Sequence, residues 1–232
     1  MIGIVVILAV SWLLIYSFER NNLHVLGFHP LKKITALFGL GFIISCLLCF
    51  SVQVFESWLK STHWLVNPEF KSADLLYGFW WDLKSVVTEE LVFRWALLYI
   101  LIKKIGVPKS LILSAIAFGI YHWFSYGIFG QIVPMLFIFI GTGFTGYVWA
   151  KSFVLSQSIM LPIGLHLGWN FTSNTLFSKG PLDQSLIVSV GGFELSSGLS
   201  LLNFMLPMII VPLITLFLIN KLYNRKNQYI KI

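Results

Sequence analysis

The stretch Thr88-Glu89-Glu90-Leu91-Val92-Phe93-Arg94 sets two adjacent carboxylates and a guanidinium inside an otherwise apolar run. Two more polar sites stand in apolar surroundings: His122, which closes Phe118-Gly119-Ile120-Tyr121-His122, and the group His166-Leu167-Gly168-Trp169-Asn170. On a helix, residues four apart share a face while neighbours diverge by about 100°. Glu90 and Arg94 are therefore spaced to pair along one helix, Glu89 points toward another helix, and His166 and Asn170 lie on one face. No serine or cysteine adjoins a base, which argues against a covalent acyl intermediate. A carboxylate and an imidazole can instead hold a water, with the carboxylate as general base. A His/Asn pair can donate hydrogen bonds to the oxyanion of a tetrahedral intermediate. Arg94 would keep Glu90 ionised and leave Glu89 free for catalysis. Such a set suits peptide-bond hydrolysis. Taken singly, each motif also fits a structural role: a buried ion pair serving specificity, a packed histidine, or an interhelical hydrogen-bond cluster that includes Asn174.

These residues have to be carried by membrane helices. The chain of 232 residues is 57% hydrophobic and only 11% charged, with a mean hydropathy of +0.85, whereas a soluble domain carries about 25% charged residues. An all-α, polytopic transmembrane bundle follows, a single integral membrane domain over 1–232 with its catalytic core at about 76–177. Apolar runs predict seven spans at about 1–18, 34–55, 76–102, 109–127, 131–150, 155–177 and 199–220. The first is a retained helix and not a signal peptide, because it lacks a basic leader and a small-residue cleavage site. An ionisable side chain near the bilayer centre costs roughly 2.5 to 3.5 kcal/mol, so Glu89, Glu90 and Arg94 should face protein or a wet cavity.

The net charge of +7 is held in short juxtamembrane clusters and marks topology and anionic lipid, not nucleic acid. Arg20, Lys32, Lys33, Lys103, Lys104, Lys109, Lys151, Lys221, Arg225, Lys226 and Lys231 fall in alternate loops. The loops between them are neutral or mixed. By the positive-inside rule the N-terminus is outside and the C-terminus cytoplasmic. Phe79, Trp80, Trp81, Trp123 and Phe124 suit an outer aromatic belt, and Asp82 and Lys84 read as a solvated helix end. Cys46 and Cys49 imply neither a disulfide nor a metal site.

Glu89 lies 14 residues from Lys103 and His122 lies 13 from Lys109, which puts both roughly 20 Å from one basic loop. His166 comes out about 16 Å from the same side. Carboxylate, imidazoles and amide thus share a level, which independent structural residues would not require. Ala115 and Gly119 form a small edge for close helix approach, and Gly164 and Gly168 can seat the sixth helix on a neighbour.

Glu-Glu-x-x-x-Arg, Phe-x-x-x-His and His-x-x-x-Asn, in that order and each on its own helix, resemble the CPBP family. That family comprises CAAX-type prenyl proteases and bacterial Abi or bacteriocin-immunity proteins, described as intramembrane glutamic endopeptidases. The resemblance covers roughly 85–175. It implies that Glu89 and His122 activate water, that Glu90 and Arg94 organise the site, and that His166 and Asn170 stabilise the oxyanion. It implies no cofactor beyond that water. The short chain looks more like the bacterial branch, a multi-pass cell-membrane protein whose substrate is a peptide or membrane protein. Two other functions fit the same residues. One is a non-catalytic immunity or regulatory protein that binds a partner through the polar cavity. The other is a zinc protease using Glu89, His122 and His166, although no His-Glu-x-x-His helix is present.

Overall fold

The computed structural model describes residues 2–21, 30–182 and 186–224. Arg225, Lys226 and Lys231, used above for topology, lie outside the described residues. The rest is an all-α bundle. Its elements are α1 (Ile2–Glu19), α2 (Leu31–Lys60), β1 (His63–Val66), α3 (Ser72–Phe93), α4 (Ala96–Ile105), α5 (Val107–Ser125) and α6 (Ile132–Ser156). After these come α7 (Met160–Asn170) with a π-helical turn (Phe171–Leu176), β2 (Ile187–Val190), α8 (Ser197–Met205), a second π turn (Leu206–Ile210) and α9 (Val211–Asn224). The described helices group into seven segments near the seven apolar runs, and the chain is a multi-pass membrane protein. The one departure from helix is a short antiparallel pair in which His63 faces Val190 and Val66 faces Ile187.

Five helical stretches are long and apolar enough to cross a membrane: Ile2–Glu19, Leu31–Lys60, Val107–Ser125, Ile132–Ser156 and Ser197–Tyr223. The other two passes, α3–α4 and α7 with its π turn, hold most of the candidate residues. Their shortfall has a physical cause. α3 carries Asp74, Asp82, Lys84, Glu89 and Glu90, and α7 is short because it is central, with Leu161 to Gly168 buried without interruption. A helix apolar and buried all round needs protein neighbours, not lipid. α2, α3 and α6 supply them.

Glycine lets α2 and α7 touch backbone to backbone. A Cβ on Gly41 would lie 2.6 Å from the Leu161 carbonyl oxygen, and one on Gly164 or Gly168 would meet the carbonyl of Phe38 or Phe42. On α5, a Cβ on Gly119 would strike the Phe139 ring at 2.7 Å, so this edge receives α6. The main core cluster, including Ile15, Val86, Trp95, Leu98, Phe153 and Leu167, ties α1, α3, α4, α6 and α7 together.

Several expectations need correction. The third pass is not one helix over 76–102. It breaks at Arg94 and Trp95, where no proline or glycine signals a stop. The Phe93 carbonyl freed by the break accepts a hydrogen bond from the Ser114 hydroxyl of α5 at 3.0 Å, and Trp95 is buried. Tertiary packing thus replaces the missing helical bond. The fifth pass runs to Ser156, so Lys151 sits inside α6 and not in a loop. Phe79 packs edge-on against Phe171 instead of joining an outer belt. Asp82 is buried at 1% exposure, while Lys84 lies near the rings of Trp80 and Trp81.

Charged ends separate into two groups. Lys104 sits by Phe18 and Lys33 by Ser156 and Tyr223, whereas Glu56 is bonded to Lys60 and Lys179 at the opposite end of α2.

Candidate active site

α3 positions the carboxylates. Glu90 and Arg94 are both fully buried, and Glu90 Oε1 accepts a hydrogen bond from Arg94 Nη1 at 2.9 Å. The same oxygen is 2.9 Å from His166 Nδ1, which reaches it from α7. One carboxylate thus joins two passes that are far apart in sequence. The Arg94 guanidinium lies 3.7 Å from the centroid of the Phe118 ring, a cation–π contact that is strongest when desolvated. A Cβ on Gly146 would come within 3.0 Å of Arg94 Nη2, so this glycine leaves room for the guanidinium.

Glu89 faces the other way, as its helical phase requires. Its Oε1 accepts a hydrogen bond from the Ser85 hydroxyl at 3.1 Å, one turn earlier. Its Oε2 is 4.0 Å from His122 Nε2 and 4.0 Å from His166 Nε2. Among the described residues this buried oxygen makes no direct hydrogen bond.

The two imidazoles are oriented by different partners. His122 Nδ1 donates to the Phe118 carbonyl of its own helix at 2.8 Å, which leaves Nε2 as the free acceptor of the neutral ring. His166 Nδ1 donates to Glu90, and its ring stacks on Trp149 at 4.0 Å between centroids. Both Nε2 atoms therefore turn to Glu89. Phe118 bridges the site, packing on His122, Trp149 and Arg94.

Asn170 ends α7 and lines a cavity of about 130 Å³ together with His122, His166, Thr142, Met208 and Thr215. That space admits several waters or one apolar side chain. The hydroxyls of Thr142 and Thr215 are spent on carbonyls one turn back in their own helices, and Ser45, Tyr126 and Thr145 add polar groups to the lining beside the histidines and Asn170.

All six residues singled out in the sequence thus lie around this one buried region. Ser85, Trp149 and Thr175 were not singled out, Phe118 entered only as the first residue of its motif, and Asp82, which accepts a hydrogen bond from Thr175 nearby, was read as a solvated helix end. Ser85 was findable, since it precedes Glu89 by four residues. Trp149 was not, because a tryptophan inside an apolar helix carries no sign of its neighbour. Among the described residues, no three His, Cys, Asp or Glu side chains converge to hold a metal ion. Cys46 and Cys49 are free thiols.

Ionisable groups buried where three helical segments of a multi-pass bundle meet mark a functional site. Residues 72–172 match the family model described as Type II CAAX prenyl endopeptidase Rce1-like, in agreement with the CAAX-protease resemblance of the motifs. The match begins at the first residue of α3, ends in the π turn after α7 and includes all six site residues. No curated protein and no solved structure matches the chain.

Proposed function

We propose that the protein is an intramembrane endopeptidase in which Glu89 activates water for direct attack on a peptide carbonyl, with no covalent intermediate. One observation carries this reading: Glu89 Oε2 stands 4.0 Å from Nε2 of both His122 and His166. That distance is too long for a direct hydrogen bond and suits a bridging water. Glu89 takes a proton from the water as its oxygen bonds to the carbonyl carbon. The resulting oxyanion accepts hydrogen bonds from Asn170 and from His166 protonated at Nε2. Glu90, already bonded to Nδ1, stabilises that imidazolium. Glu89 then delivers the proton to the leaving nitrogen as the C–N bond breaks and the oxyanion collapses, giving a carboxylic acid and an amine. His122, anchored to Phe118, holds the water from the other side. In a dry site such preoriented groups act far more strongly than in water. Glu90 and Arg94 organise the site.

The catalytic core spans about 76–177, with the remaining passes as its wall. The substrate is a peptide or membrane protein, in a bacterial cell membrane with the N-terminus outside and the C-terminus cytoplasmic. Bacteriocin self-protection by cleavage is one physiological setting for this chemistry. Purified protein in detergent, given a quenched fluorescent peptide library, provides the test. Wild type should cleave and Glu89→Gln should not. Equal signals from both, or no cleavage together with tight peptide binding, would replace the protease by a binding protein. In cells, the membrane peptidome of wild type against Glu89→Gln identifies the substrate.

A further inference from the structure

Asp82 is a carboxylate that the proposed chemistry does not use, yet it is 1% exposed in the same helix as Glu89. A buried carboxylate is costly unless its oxygens are satisfied. Both are: Asn174 Nδ2 donates to Oδ1 at 2.7 Å, and Thr175 Oγ1 donates to Oδ2 at 2.9 Å. The two donors belong to the π turn Phe171–Leu176. There the Phe177 amide donates to the Thr172 carbonyl five residues back, the wide turn often found at functional sites. Gly78, one turn before Asp82, completes the contact. A Cβ there would lie 2.5 Å from Thr175 Oγ1 and 2.7 Å from Cγ2, so no side chain fits between α3 and the turn.

We infer that Asp82 is a positioning residue for the proposed reaction: it fixes α3 against the π turn and so holds His166 and Asn170 in register with Glu89. The geometry has two rungs between the same two passes. One is Glu90 with His166. The other is Asp82 with Asn174 and Thr175, eight residues earlier on α3 and eight or nine later on the α7 pass, about 12 Å along the axis. One rung alone is a pivot about which α7 can turn. Two rungs set its rotation and its height. Asn170 lies between the rungs, on the last residue before the turn. Misplacement of a reacting group by about 1 Å can cost on the order of 100-fold in rate. The cavity walls from α5, α6 and the last pass make no part of the second rung, so substrate binding should be largely spared.

This inference rests on the protease reading, and wild type run beside Glu89→Gln in the same preparation tests that reading separately. Against an active wild type, Asp82→Asn should lower kcat about 10- to 100-fold, with KM within about threefold. Asparagine at 82 replaces one acceptor oxygen by an amide donor, so Asn174 must turn its amide over or Thr175 must turn its hydroxyl away. The exchange Asp82→Asn with Asn174→Asp restores the pairing with the charge moved across and should return kcat to within about threefold of wild type. Thr175→Val removes one bond without altering charge and should fall between. Hydrogen–deuterium exchange over 168–178 should rise in Asp82→Asn and return in the exchanged pair, a readout independent of cleavage. Wild-type kcat in folded Asp82→Asn would overturn the proposal. So would an exchanged pair that recovers melting temperature and protection but not kcat.

Discussion

Removing Arg94 tests the interior electrostatics most directly. Arg94 and Glu90 are both wholly buried and bonded at 2.9 Å. At an effective dielectric of 20, unit charges about 4 Å apart attract by about 4 kcal/mol, and breaking one side of a buried pair typically costs about 3–5 kcal/mol. Arg94→Ala adds a cavity beside Phe118 and Trp149, but Glu90 keeps its bond to His166. These opposing contributions leave a loss of about 3–5 kcal/mol, a large share of the roughly 5–15 kcal/mol typical of a folded domain. The comparison with Glu90→Gln makes the cause visible. Glu90→Gln with Arg94→Ala leaves no uncompensated charge and should be less destabilised than Arg94→Ala alone. Arg94→Lys keeps the charge but loses the planar contact with Phe118, at a cost of about 1–2 kcal/mol. Titration of purified variants with SDS in dodecyl maltoside micelles gives the unfolding free energies. An Arg94→Ala protein within 1 kcal/mol of wild type, or a double variant no better than the single one, would refute the argument.

Further expectations follow from single contacts. Glu89→Gln should reduce kcat by about 100- to 10,000-fold, the usual range for a general base, with little change in melting temperature, since only the Ser85 hydrogen bond to Oε1 is altered. Gly164→Ala and Gly168→Ala should each destabilise by about 1–3 kcal/mol, the range for overpacking, because the added carbon meets the backbone of Phe38 or Phe42, which cannot rotate away. Membrane yield and thermal unfolding measure this. Exhaustive chelation should leave cleavage unchanged, and activity lost on chelation and regained with zinc would sink the water-and-carboxylate mechanism. Reporter fusions at the two ends should give an external N-terminus and a cytoplasmic C-terminus, and the opposite pattern would overturn the orientation drawn from the basic loops.

Much of the bundle was legible because apolar length and charge placement report on the membrane, a solvent that every pass meets in the same way. The candidate residues were legible for a related reason. A charge or imidazole in such a run is costly, so Glu89, Glu90, Arg94, His122 and His166 announce themselves. Asp82 was misjudged by the same logic, since its place eight residues before Glu90 looked like a helix end near water. Its partners Asn174 and Thr175 come from a turn more than ninety residues away, and nothing local separates a carboxylate that meets solvent from one that meets those side chains. The break at Arg94–Trp95 was illegible too, because its compensation is the Ser114 hydroxyl of another helix.

What the order of residues determined alone is the multi-pass helical class, the helical faces on which Glu90 meets Arg94 and His166 lies with Asn170, and the glycine edges that permit close packing. Local spacing and transfer free energy suffice for these. Only the folded arrangement decided that Glu90 serves Arg94 and His166 at once, that both imidazoles turn the same nitrogen to Glu89, and that Trp149 stacks on His166. Those contacts depend on rotations and heights of whole helices, which are set by packing among distant segments and leave no periodic trace along the chain.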